Sequence, residues 1–244
     1  MANWSDPRAT ASPQPGTLGR ESVAQDAGLR SYMLSVYNYM TSGVLLTGIV
    51  ALLFANSEFG RNILINGGVL RYLIMFAPLA FVMVLSFGIN RLSTGTAQAL
   101  FWAFAVVMGL SLSSIFLVFT GQSIATTFFA TAAAFASLSL WGYTTKKDLS
   151  GFGTFLVMGL FGLLIAMLIN IFVQSTAFQM AISFIGVLLF AGLTAYDTQR
   201  IKSMYYYVQG SDMLGKTAIM GALSLYLDFV NMFTFLLNFM GNRE

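Results

Sequence analysis

Seven blocks of nearly unbroken apolar sequence alternate with short polar stretches along the chain, at about residues 33–55, 72–90, 98–120, 124–143, 152–173, 178–197 and 218–240. Each approaches the roughly 20 residues that a helix needs to cross the hydrocarbon of a bilayer. The backbone in lipid must satisfy its own hydrogen bonds, and the blocks are too long and too continuously apolar for alternating barrel strands. The pattern therefore predicts an all-α polytopic membrane protein with seven transmembrane helices. Some connections are very short, such as Gly121-Gln122-Ser123 and Val173-Gln174-Ser175-Thr176. Residues 1–29 differ: they are polar and rich in Ala, Ser, Pro and Gly, which predicts a mobile cytoplasmic tail ahead of a membrane domain over 30–244. No apolar stretch with a cleavage site lies near Met1, so the first span is expected to act as its own insertion signal.

Composition agrees with this reading. Of the 244 residues, 57% are hydrophobic and 9% charged, too few charges to cover a water-facing surface. The chain has neither Cys nor His, which excludes disulfides, thiolate metal sites, haem–His ligation and a histidine pH switch. Proton-linked behaviour within the membrane would have to come from carboxylates, partnered by Tyr, Lys or Arg. The net charge of +3 is distributed by loop, so nucleic acid is not an expected partner; the lipid bilayer is.

Placing the N-terminus in the cytoplasm puts Arg8, Arg20, Arg30, Arg91, Lys146, Lys147, Arg200, Lys202 and Lys216 on the inner side. Arg61, Arg71 and Arg243 then lie outside. This bias predicts an N-in, C-out topology. Small residues recur in the fifth and sixth spans (Gly151, Gly153, Gly159, Gly162, Gly186 and Gly192), which suits close helix packing or a hinge.

Against this apolar background two carboxylates stand out. Asp228 lies inside the last block, and Gly221, Ser224, Asp228 and Asn231 share one helical face. Asp197 closes the sixth block, followed by Arg200 and Lys202. An ionised carboxylate at the centre of a spanning helix costs roughly 2.5–3.5 kcal/mol on insertion scales, so such residues face the protein interior, have partners and serve a purpose. For Asp228 the plain alternative is a neutral acid joining helices by hydrogen bonds; for Asp197 it is an interfacial acid reaching water. With the sixth span ending at 197 the two lie at depths differing by roughly 10 Å, and they can meet only if the helices tilt or the sixth helix continues through Ile201. Arg91, at the end of the second span, reads either as a flanking anchor or as a counter-ion for these aspartates. Lys146-Lys147-Asp148 is expected to be solvated, and Tyr205-Tyr206-Tyr207 to anchor at the interface.

The run Ala222 to Phe233, with Leu225-Tyr226-Leu227-Asp228-Phe229 at its centre, resembles the Bax inhibitor-1 family, also called the transmembrane Bax inhibitor motif proteins. Tyr196-Asp197 followed by Gln199 and Ile201-Lys202, the loop Lys146-Lys147-Asp148-Leu149, and the helix spacing extend the resemblance over about residues 30–240. It implies a bacterial inner (plasma) membrane protein with the last helix central in the bundle, and a pH-sensitive calcium leak in which an aspartate pair is the sensor. The pair maps onto Asp197 and Asp228, and a latching arginine maps onto Arg91. The chain departs from some relatives in having no carboxylate between Phe76 and Ile89, which puts in doubt any calcium-site or selectivity role for an acid there.

Chemistry supports such a device. Two carboxylates in a dry site cannot both ionise cheaply, so a shared proton would hold the sixth and last helices together. With both ionised, repulsion and hydration favour opening, unless Arg91 takes one charge. Asp197, Asp228, Ser224 and Asn231 are the pathway candidates, and Asp197 and Asp228 with Asn231 offer oxygen ligands to a weakly held, transient Ca2+. No resident cofactor and no enzymatic activity are expected. An intramembrane aspartyl protease is disfavoured because Leu225-Tyr226-Leu227 precedes Asp228 where Gly-x-Gly would be required. A proton-coupled transporter, or a non-transporting protein that binds a membrane protein partner in quality control or stress response, are the competing readings.

Overall fold

The computed structural model describes residues 15–243, with side chains from residue 25 onward. Eight helices follow one another: α1 (Pro15–Asn56), α2 (Glu58–Asn66), α3 (Gly68–Gly88), α4 (Thr94–Leu112), α5 (Gly121–Thr144), α6 (Ser150–Val173), α7 (Thr176–Val208) and α8 (Met213–Met240). A 3-10 turn, Ser113–Leu117, extends α4. Seven of these segments are long and apolar enough to cross a membrane: Gln25–Asn56, Gly68–Gly88, Thr94–Leu117, Gly121–Thr144, Ser150–Val173, Thr176–Val208 and Met213–Met240. Among the described residues β-pairing is limited to one isolated bridge between Phe119 and Arg243.

The helix boundaries differ from the apolar blocks in three places. The backbone is helical from Pro15, so half of the expected tail over 1–29 continues into the first span; the remainder, 1–14, lies outside the described residues. A short helix, α2, fills the first connection, started by Ser57, whose hydroxyl accepts from the Gly60 N–H at 2.9 Å. The third difference matters most: α7 does not stop at residue 197 but runs to Val208. At 1.5 Å per residue it is about 50 Å long, well beyond the roughly 30 Å of hydrocarbon, and its basic residues, Arg200 and Lys202, lie in its last third.

The last helix is the most enclosed. In its most apolar stretch 67% of residues are buried, against at most 33% in any other span, and it packs against α1, α4, α5 and α7. Leu225, Tyr226 and Leu237 are fully buried along it. Tyr226 donates or accepts a 2.6 Å hydrogen bond with Thr47, whose hydroxyl is 2.8 Å from the Ala105 carbonyl, so α1, α4 and α8 are pinned at one depth. At one end of α8, Gly215 abuts Thr94 at the start of α4. At the other, the Thr120 N–H donates to the Asn242 carbonyl at 3.1 Å, just beyond the end of α4. The helix therefore crosses the same thickness as α4, in the same direction. By contrast, only 11% of the apolar stretch is buried in each of α3 and α6. Of these, α3 packs chiefly on α4, and α6 on α7.

Candidate functional site: a carboxylate pair between the two last helices

The continuation of α7 brings Asp197 and Asp228 together. Measured along the helices, Asp197 lies about 17 Å from the Val208 end and Asp228 about 22 Å from the Met213 start, two points joined by a short turn. Helical side chains lean toward the N-terminus of their own helix. Because α7 and α8 run antiparallel, Asp197 leans deeper and Asp228 leans shallower, which closes the remaining offset. Both side chains border one cavity, which places the two carboxyl groups near each other. A hydrogen bond between two carboxyl groups requires a proton on one of them.

The surroundings are asymmetric. Asp228 is 5% exposed and its Oδ2 is buried with no hydrogen-bond partner, a placement that an ionised group tolerates poorly. Asp197 is 15% exposed and lies 4.0 Å from Arg200, one turn along the same helix, whose side chain is 60% exposed. Two cavities meet here. One, of about 470 Å³, lies between α6, α7 and α8 and is bordered by Asp228, Asn231 and the stacked rings of Phe190 and Phe235. The other, of about 270 Å³, is bordered by Ile89 and Asn90 after α3 and by residues of α7 and α8. Asp197, Arg200 and Ser224 border both, so they stand at the divide between the two spaces. The Asn231 amide donates to the Leu227 carbonyl at 2.8 Å, and its side-chain oxygen is left as an acceptor.

Two glycines allow this placement. A Cβ on Gly142 would collide with the Ala195 carbonyl, so its absence lets α5 approach α7 beside the site. A Cβ on Gly153 would collide with the Tyr196 ring, which orients the residue preceding Asp197. The other pieces of the sequence signature converge on the same stretch of α7. Gln199 accepts from the Leu149 N–H at 2.9 Å and donates to the Lys147 carbonyl at 2.7 Å, which ties the loop between α5 and α6 to the helix. Lys202 donates to the Tyr143 carbonyl at 2.8 Å and lies 4.8 Å above the Tyr143 ring. Asp148 is solvated and accepts from the N–H and hydroxyl of Ser150, which hold its carboxyl below the usual range.

Of the residues singled out in the sequence, Asp197, Asp228, Ser224 and Asn231 are gathered at the site. Arg91 is exposed on the turn after α3; its neighbour Asn90 borders the smaller cavity, and the cation paired with Asp197 is Arg200. The three-residue spacing of Asp197 and Arg200 was the available signal for that pair. Tyr205 is buried against Tyr32 at 5.5 Å between ring centroids, while Tyr206 and Tyr207 are exposed, so the aromatic triplet is only partly an anchor. Sequence reasoning also missed a hydrogen-bonded chain behind Asp197, running from Tyr37 to Ser139 at 2.6 Å and from Ser139 to Thr198 at 2.9 Å. Its members lie in three separate helices, and no local spacing marks them. Among the described residues no cluster of three or more acidic side chains forms a metal cage.

Seven helices long and apolar enough to span a bilayer define the class: a polytopic membrane protein, with Asp197 and Asp228 bordering one cavity between its last two helices. The family described as inhibitor of apoptosis-promoting Bax1 matches residues 29–244. The inner membrane protein YbhL of Escherichia coli (strain K12) is 48% identical over 227 residues, covering 92% of this chain and 97% of YbhL. A protein of Rickettsia prowazekii (strain Madrid E) is 48% identical over 220 residues, 90% of this chain and 92% of its own. One of Borreliella burgdorferi (strain B31) is 36% identical over 214 residues, 87% and 92% of the two chains. The chain belongs to the Bax inhibitor-1 family.

Proposed function

We propose that the chain is a pH-sensitive calcium leak of the bacterial inner membrane, with its N-terminus cytoplasmic and its C-terminus outside. The observation that carries this reading is that Asp197 stands at the divide between two cavities, one of which it shares with Asp228. With a proton shared, the pair joins α7 to α8 and the route is shut. With both carboxylates ionised, repulsion and hydration part them. Calcium then passes Ser224 and Asn231, touching a set of oxygen atoms too sparse to retain it. The Phe190–Phe235 stack, with ring centroids 5.8 Å apart, supplies an apolar barrier on the far side of the pair. Arg200 offsets part of the charge, and Arg91 becomes a latch if the lightly packed α3 swings its end toward Asp197.

The membrane assignment draws on the relative YbhL, named as an inner membrane protein, and the orientation on the distribution of Lys and Arg. The test is calcium influx into indicator-loaded proteoliposomes of the full chain between pH 5 and 8, with protein-free vesicles as the baseline. Influx above that baseline, rising with pH, is expected. Protein that is folded and inserted yet passes no calcium at any pH overturns the leak, and leaves binding of a membrane protein partner as the reading. Influx of another solute driven by the pH gradient would make it a proton-coupled transporter.

A further inference from the structure

A separate cavity of about 920 Å³ lies along the bundle between α1 and α5, with Phe229 of α8 in its lining. It is bordered from Arg30 to Leu45 on α1 and from Phe128 to Tyr143 on α5, a length of about 22 Å on each helix. Its rim carries Leu34, Leu45 and Leu140, each at least half exposed, so the opening faces the side of the bundle that spanning helices present to lipid. The walls are mostly apolar, with Tyr37, Thr41 and Ser139 among them, and include no carboxylate.

The cations gather at one end. Arg30 borders the groove and makes no ion pair with a described residue. Tyr143 lies at the same end, and Lys202 sits on its ring and carbonyl. Lys146 and Lys147 follow on the exposed loop beyond α5. A bilayer component with an apolar chain and a negative head matches both the shape and the charge, because each basic side chain near the surface attracts an anionic lipid by roughly fivefold in affinity. We propose that this groove seats an anionic phospholipid, one acyl chain lying between α1 and α5 and the phosphate beside Arg30. The lipid would rest against Tyr37 and Ser139, whose hydrogen bonds lead to Thr198, the residue after Asp197. The seat is independent of whether the chain conducts calcium.

The experiment is native mass spectrometry of the full purified chain equilibrated with equal amounts of phosphatidylglycerol and phosphatidylcholine of matched acyl chains. Wild type should retain phosphatidylglycerol at least about fivefold over phosphatidylcholine, and Arg30→Gln should lower that ratio by about fivefold. Ala136→Phe, which fills the groove, should lower retention of both lipids, whereas Leu168→Phe on the exposed face of α6 should change neither. Equal retention of the two lipids by wild type overturns the proposal, as does an unchanged ratio in Arg30→Gln. So does a dimer that excludes lipid, which would assign the groove to a second copy. If Ala136→Phe fails to fold, the Arg30→Gln ratio alone decides.

Discussion

Replacing Asp228 by Asn should remove the pH dependence of folding stability while keeping the link between α7 and α8. An Asn side chain donates to the Asp197 carboxylate without needing a shared proton. In the proposed wild-type pair, removing the shared proton leaves two negative charges side by side, and unit charges about 4 Å apart repel by about 4 kcal/mol at an effective dielectric constant of about 20. Arg200 lies 4.0 Å from Asp197 but is 60% exposed, so it offsets at most about 1 kcal/mol. About 3 kcal/mol of repulsion remains. The contribution of the pair is complete while the proton is shared and is lost as the pH rises. For a chain of this size each kcal/mol moves the unfolding midpoint by about 2–4 °C, so the wild-type midpoint should fall by about 6–12 °C between pH 5 and 8. Intrinsic tyrosine and tryptophan fluorescence during heating in detergent reads this directly. A flat wild-type midpoint, or an Asp228→Asn variant that falls as steeply as wild type, refutes the shared-proton contact.

Other consequences follow from the same packing. Gly142→Ala should destabilise the fold by about 1–3 kcal/mol, because the added methyl meets the Ala195 carbonyl; a neutral result in thermal unfolding would contradict the close approach of α5 and α7. Thr47→Val should cost about 1–3 kcal/mol by stranding the buried Tyr226 hydroxyl, and Tyr226→Phe should cost less, since Thr47 keeps the Ala105 carbonyl. The reverse order in the same assay would show that the phenol has another partner. Asp148 is held below its ordinary range by Ser150, so its contribution is present above that range and is lost only as pH falls through the lowered value. Asp148→Asn should therefore leave the shape of any pH 5–8 profile intact, and a flattened profile would move the sensor to this loop.

Most of the architecture was legible because lipid imposes a simple rule: a run of apolar residues of sufficient length becomes a helix. The rule misjudged α7 for a physical reason. Asp197, Gln199, Arg200 and Lys202 end the apolar run but not the helix, since Gln199 and Lys202 bind the loop and the end of α5 and thereby support the continuing turns. That same continuation brings Asp197 to the cavity that Asp228 borders, so the two residues could be named from the sequence before their shared cavity could be derived. The polar stripe of Ser224, Asp228 and Asn231 was visible from spacing alone. The Tyr37–Ser139–Thr198 chain, the Phe190–Phe235 stack and the groove beside α1 are products of tertiary packing, and none has a local signature.

The most direct measurement compares the pH profile of calcium influx for wild type, Asp197→Asn, Asp228→Asn and the double variant in proteoliposomes of equal protein content. The account predicts a wild-type influx that rises from pH 5 to 8, and flattened profiles in both single variants with no further change in the double. A wild-type profile retained by either single variant would contradict gating by the pair.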